Sequence, residues 1–300
     1  MKMGVGFILT MRLRMINFCH IAPTKYLSRY AQYNGGHLIL AHLVESDEEY
    51  RNFYANLNDG KYKIMDNSAF EMFKQGRPMY DSSKLIEMGK QCKANCIVMS
   101  DYPREPWTKT VRQAEMTCDQ IRDSGFGTFF VPQSTVGDLD GYLRGIEWAL
   151  NKMKIDIIGL SILGCPIALG VDEKMSEGNR GSAYKLQRFL ARWKIFQELE
   201  KRDLLGGMAW QRFHCLGMTD GPNEIALLEP YHEFICSWDS SAAIWLGLNG
   251  KQFDSSPTGL SSGKFEKEVD FSCDLGDSNH QQVINNINTI NKMVGRSDSV

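Results

Sequence analysis

Eight short runs rich in apolar and β-branched residues punctuate the chain, and helix-like stretches lie between them. The runs are 13–20 (LRMINFCH), 37–43 (HLILAHL), 62–66 (YKIMD), 95–101 (NCIVMSD), 127–133 (GTFFVPQ), 155–161 (IDIIGLS), 212–218 (RFHCLGM) and 234–239 (FICSWD). Most are continuously apolar rather than alternating, as expected of parallel strands covered on the outside by helices. Eight such strands alternating with helices over about 250 residues predict an α/β fold, a (β/α)8 TIM barrel. A doubly wound sheet is the alternative, because periodicity does not report closure.

The helical stretches carry their own punctuation. Ser46 starts one, with Glu49 as its capping-box partner. Asp81 and Ser82 are placed to cap 83–93, and Thr108 to cap 109–123, which stops at Gly125. Residues 138–152 and 182–203 form the longest helical patterns in the middle of the chain; 222–231 begins near Pro222, and 241–248 reads as a short apolar turn or helix. Residues 1–300 read as one barrel domain with its core at 13–248, an irregular Gly-, Ser- and Asp-rich excursion at 249–278, and a C-terminal helix at 279–294. That helix carries Val283, Ile287, Ile290 and Val294 on one face.

Composition narrows the class. A net charge of −2 excludes a chain that is basic all over, though one local basic face would still suit nucleic acid. No apolar run approaches the roughly 20 residues of a membrane span. Gly4–Thr10 is short and followed at once by Arg12 and Arg14, so no signal peptide is expected and the location reads as cytoplasmic (host cytoplasm for a viral chain). The eight cysteines include no CxC or CxxC pair and read as reduced, buried thiols. A zinc site of Cys92, Cys96 and a distant His is the alternative.

In a barrel, chemistry gathers at the C-terminal ends of the strands. There the sequence places Asp66, Asp101, Gln133 and Asp239, with Ser161 and Gly217 at two further ends. Each Asp also suits a helix cap. Three carboxylates and a carboxamide converging on one mouth suit another task. Two carboxylates can run a double displacement at an anomeric carbon. A third, with an amide, can hold the donor edge of a purine-like base. Residue spacing does not assign these roles.

The order of these segments resembles the tRNA-guanine transglycosylases. Asp66-Asn67-Ser68-Ala69-Phe70-Glu71 is similar to that family's Asp-Ser-Gly-Gly-aromatic-Gln motif, and Ile97-Val98-Met99-Ser100-Asp101 to its base-recognising strand. Phe130-Val131-Pro132-Gln133 is similar to its Val-Gln-Gly run, Ile158-Gly159-Leu160-Ser161 to its Gly-Gly-Leu run, and His214-Cys215-Leu216-Gly217-Met218 to its Tyr-Leu-Met-Gly segment. Ser237-Trp238-Asp239 falls where the family's nucleophile closes the barrel. The set runs in family order over about residues 13–245. The Gly-Gly pairs and the Pro-Thr-Arg tail are missing. After Asp239 only Cys273 and His280 stand where the family has a zinc site of three Cys and one His. These departures resemble the shorter branch that exchanges guanine in DNA for 7-deazaguanines.

The resemblance implies Asp239 as nucleophile and Asp66 as general acid/base. It implies base contacts from Asp101, Gln133, Gly159, Leu160, Ser161, Asn67, Phe70, Gly217 and Met218. It also implies a 7-deazaguanine (such as 7-cyano-7-deazaguanine) as co-substrate, with no cofactor and no metal. DNA would need cations. Residues 174–202 hold Lys174, Arg180, Lys185, Arg188, Arg192, Lys194, Lys201 and Arg202 against Glu177, Glu198 and Glu200. Of these, Arg180, Lys185, Arg188 and Arg192 are the expected phosphate contacts, joined by Lys109 and Arg112. A solvated helix face is the other reading of that run. His20, His37 and His42 read as structural, and His214 as a possible pocket residue left unassigned. The competing activities are a tRNA-guanine transglycosylase, a retaining glycoside hydrolase and an inactive nucleic-acid-binding homologue.

Overall fold

The computed structural model describes residues 15–171, 181–219, 221–254, 256 and 268–295. Eight strands form one sheet: β1 (Asn17–His20), β2 (Gly36–Leu40), β3 (Tyr62–Asp66), β4 (Cys96–Val98), β5 (Gly127–Phe130), β6 (Ile157–Ser161), β7 (Phe213–Leu216) and β8 (Ile235–Ser240). Their order is β1-β8-β7-β6-β5-β4-β3-β2, every neighbouring pair is parallel, and helices intervene between them, which makes the fold a (β/α)8 barrel. β2 and β4 are buried along their whole length, which explains why those runs are apolar without alternation.

The β1–β2 seam closes by other means. Gly35 N–H donates to Phe18 O at 2.8 Å. The Asn34 side chain accepts from His20 N–H at 2.8 Å and donates back to His20 O at 3.2 Å. An Asn carboxamide mimics a peptide unit, so it continues the ladder where two strands do not pair. Inside the barrel, space is full at Gly159. A Cβ there would come within 2.6 Å of the Phe129 ring and within 2.9 Å of Val131.

Helix boundaries differ locally from expectation. Asp47, not Ser46, caps the helix Glu48–Asn56 by accepting from Tyr50 N–H. Asp81 caps Ser82–Gln91 as expected, whereas Trp107–Asp123 follows Pro106 with no side-chain cap. The long pattern at 182–203 is two helices, Gly181–Phe189 and Ala191–Lys201. The C-terminal helix His280–Met293 buries Val283, Ile287 and Ile290, with Val294 buried just beyond it, and packs on Ala242–Leu248. Gly247 permits that approach, since a Cβ there would lie 2.6 Å from Val283 Cα. Among the described residues no helix is long and apolar enough to cross a membrane.

Candidate active site

A cavity of about 830 Å³ opens at the C-terminal mouth of the barrel and is lined by Asp66, Asp101, Gln133 and Asp239 together. The four end or follow different strands, so barrel closure brings them to one space. None of the three Asp residues caps the following helix. At the start of Ala242–Leu248, Ser240 Oγ accepts from Ala242 N–H at 3.0 Å. Asp101 is bonded elsewhere, and Asp66 closes only the turn beneath itself.

Asp66 ends β3. Its Oδ2 accepts from Ser68 N–H at 2.9 Å, while Asn67 Oδ1 accepts from Ala69 N–H at 2.9 Å. These bonds hold Ser68 in the left-handed region at φ 52°, the position matched by a glycine in the resembling motif. Burial pushes the Asp66 carboxyl well above the ordinary range. The nearby charge of Glu71 adds to this, outweighing the Ser68 N–H, and Asp239 and Asp101 push the same way. Asp66 therefore holds its proton more tightly than an ordinary carboxyl does.

Asp101 is 2% exposed and clamped on both sides. Asn67 Nδ2 donates to Oδ1 and Gln133 Nε2 to Oδ2, each at 2.6 Å. Burial raises its carboxyl to about 6 against the pull of these two amides. Asn67 also donates to Met99 O at 2.7 Å, so its orientation is fixed. Gln133 Oε1 is buried and has no hydrogen-bond partner among the described residues.

Asp239 is 4% exposed and bonded through one oxygen only. His214 Nε2 lies 2.9 Å from Oδ1, and Gly217 N–H donates to the same atom at 3.1 Å. Oδ2 makes no hydrogen bond among the described residues.

The remaining predicted residues divide. Asn67, Phe70, Ser161, Gly217 and Met218 line the cavity, with Phe70 exposed at its rim. Ser161 Oγ accepts from Leu163 and Gly164 N–H. Gly159 and Leu160 do not line it. Gly159 sits lower, beneath packed side chains, and the Leu160 carbonyl accepts from Arg192 Nε at 2.9 Å.

Arg192 corrects the cationic expectation most sharply. It is 1% exposed, pairs with Glu224 at 2.9 Å, and donates to the carbonyls of Leu160, Leu216 and Gly217. A guanidinium so enclosed cannot reach a phosphate. Lys185 and Arg112 are exposed; Arg188 is half-buried beside the Tyr184 ring, and Lys109 pairs with Glu105 over the Tyr102 ring. Arg180 lies outside the described residues.

Sequence reasoning gave no role in the site to three residues. Glu71 lines the cavity, and burial, followed by the charge of Asp239, raises its carboxyl to about 7. His42, read as structural, also lines the cavity; Nδ1 lies 2.9 Å from Ser68 Oγ and 4.0 Å from Glu71, and burial lowers the ring to about 4. His214 is the third. Its signal was present in strand alternation, since His214 pairs in register with Ser237 and Asp239 stands two residues on, on the same face. Of the eight cysteines seven are buried and Cys236 is half-buried, and among the described residues no three of His, Cys, Asp and Glu converge to hold a metal.

No protein-family model matches the chain, and no curated protein matches it.

Proposed function

We propose that the chain is a base-exchange transglycosylase that replaces guanine in DNA with a 7-deazaguanine through a covalent Asp239–sugar intermediate. The observation that carries this reading is the unlike setting of two carboxyls in one cavity. Burial holds the Asp66 proton tightly, while Asp239 accepts through Oδ1 and, among the described residues, leaves Oδ2 without a hydrogen bond. Two carboxyls in such unlike surroundings can divide acid and nucleophile between them.

In the first step Asp239 Oδ2 forms a bond to C1′ and the C1′–N9 bond breaks. The electron pair leaves on guanine, which takes its proton from Asp66. In the second step the N9–H of the incoming base loses its proton to Asp66. N9 then attacks C1′, and the C1′–Oδ2 bond breaks to restore the Asp239 carboxylate. Protons and charge balance over the cycle, so no external acid, oxidant or cofactor enters it.

The floor supports a base rather than a sugar ring. Asp101 and the unpaired Gln133 Oε1 present neighbouring acceptors, which suits adjacent N–H donors on a guanine-like edge. A duplex target would have to turn its nucleotide out of the stack to reach the mouth. DNA rather than tRNA follows from the resemblance to the shorter transglycosylase branch.

The test is guanine release. Duplex DNA and, separately, tRNA carrying labelled guanine are incubated with the protein and 7-cyano-7-deazaguanine. Release from DNA that vanishes in Asp239→Ala is the expected result. Release from tRNA alone would move the activity to tRNA, and release from neither, across several 7-deazaguanines, would overturn the proposal.

A further inference from the structure

We propose that His214 is a positioning residue for Asp239: it donates Nε2–H to Oδ1, aims Oδ2 into the cavity, and receives charge on Oδ1 when the sugar–carboxylate bond breaks. The chemistry of this inference rests on the base-exchange reading; its geometry rests on hydrogen bonds alone.

His214 is fully buried on β7, edge-on to the Phe129 ring at 5.2 Å. Its Nδ1 lies 2.6 Å from Ser237 Oγ and its Nε2 lies 2.9 Å from Asp239 Oδ1. A hydroxyl can donate or accept, whereas an ionised carboxylate only accepts. With Asp239 ionised, a neutral ring must therefore carry its proton on Nε2, and Ser237 then donates to Nδ1. Every donor in that arrangement meets an acceptor, so the tautomer is fixed from both ends.

The second donor to Oδ1 is equally constrained. Gly217 takes φ +71°, a region that favours glycine, and a Cβ there would press on Ile162 at 3.0 Å. The Leu216 carbonyl, which shares a peptide unit with the Gly217 N–H, accepts from Ile162 N–H at 3.1 Å and from Arg192 Nη2, which holds that peptide in place. The buried Arg192–Glu224 pair thus acts at one remove, through the peptide that faces the nucleophile. The charged and titratable groups facing Asp239 are Asp66 and Glu71 from β3 and the helix after it, Arg192 from Ala191–Lys201, and His214.

Two fixed donors on one oxygen serve both half-reactions. Before attack they orient the carboxylate. When the incoming base displaces Asp239 from C1′, the electron pair of the C1′–Oδ2 bond returns to the carboxylate and spreads to Oδ1, where both donors already wait.

The experiment uses the full chain with 15N-labelled histidine, together with His214→Phe, His214→Gln and Asp239→Ala. The ring nitrogens of His214 are expected to show the Nε2–H tautomer, with a resonance that moves in Asp239→Ala. In guanine exchange, His214→Phe is expected to lose about 100-fold in kcat with KM for the incoming base nearly unchanged. His214→Gln, which keeps an N–H donor, is expected to stay within about 10-fold of the parent. An Nδ1–H tautomer, or a Phe variant as active as the Gln variant, would overturn the inference. If the parent shows no exchange on DNA or tRNA, the base-exchange reading falls, and the tautomer still decides the geometry.

Discussion

Gln133 and Asp101 are joined by a single hydrogen bond, Nε2 to Oδ2 at 2.6 Å, that orients both side chains. With its amide N–H engaged there, Gln133 leaves Oε1 buried and, among the described residues, unpaired. An unmatched buried acceptor costs roughly 1–3 kcal/mol, which a ligand N–H would recover on binding. Gln133→Met keeps the volume and removes the orphan atom. It also takes the Nε2 donor from the buried Asp101 Oδ2, so it is expected to lower stability by about 1–3 kcal/mol while weakening guanine binding about 10-fold or more. Isothermal titration with guanine, beside a melting curve, separates the two effects; unchanged binding would remove Gln133 from the floor.

Asp66→Asn tests the acid. Because burial favours the neutral form of Asp66, an amide of nearly the same shape suits the site and the fold should persist. Guanine expulsion should slow by about 10²–10⁴-fold, the usual range for a lost general acid. Rapid-quench measurement of the first turnover reads this step directly. Raising the concentration of the 7-deazaguanine should not restore it, since the missing proton belongs to the leaving base.

Glu71 links the cavity to stability. Its carboxyl rises from 4.5 to about 7 on folding, so the folded chain binds its proton more tightly than the unfolded chain. The resulting stability is fully present below about pH 4.5 and is lost as pH rises through about 7. Asp66 and Asp101 shift in the same direction and add to the decline. Glu71→Gln removes one contribution, of about 2–3 kcal/mol at most. The parent's melting temperature should therefore fall more steeply between pH 5 and 8 than the variant's. Parallel curves would show that Glu71 does not carry this proton.

The barrel was legible because both-face burial writes itself as uninterrupted apolar runs, and strand ends announce themselves where polarity returns, as at Asp66 and Asp239. The depth of a residue below the mouth is not written in that way. Gly159 stands one residue before Leu160 and two before Ser161, yet only Ser161 reaches the cavity, because packing of Phe129 and Val131 fills the level beneath. Glu71 escaped notice because its position depends on the short helix Ala69–Lys74 folding back over the mouth, a turn set by Ser68 in the left-handed region. Charge counted along a segment misled at Arg192, since a helix facing β6 and β7 can turn one cation of a basic run inward.

That distinction gives the last prediction. Arg192→Met strands the Glu224 carboxylate in the interior and takes one donor from each of three carbonyls, so it should destabilise the fold by about 3–5 kcal/mol. Arg192→Met with Glu224→Gln should recover part of that loss, because no buried charge is then left alone. In neither variant should the salt dependence of DNA binding change, since the guanidinium never meets solvent. Lys185→Ala and Arg112→Ala should behave the other way, with melting curves near the parent's and DNA affinity reduced. For each phosphate that a removed cation no longer neutralises, the slope of log affinity against log salt should fall in magnitude by about 1. Melting curves and fluorescence anisotropy over a salt series, run on the parent and the four variants, read both quantities. A slope that shifts with Arg192 and not with Lys185 or Arg112 would mean that the buried pair opens to bind, and that the exposed cations only keep the surface in water.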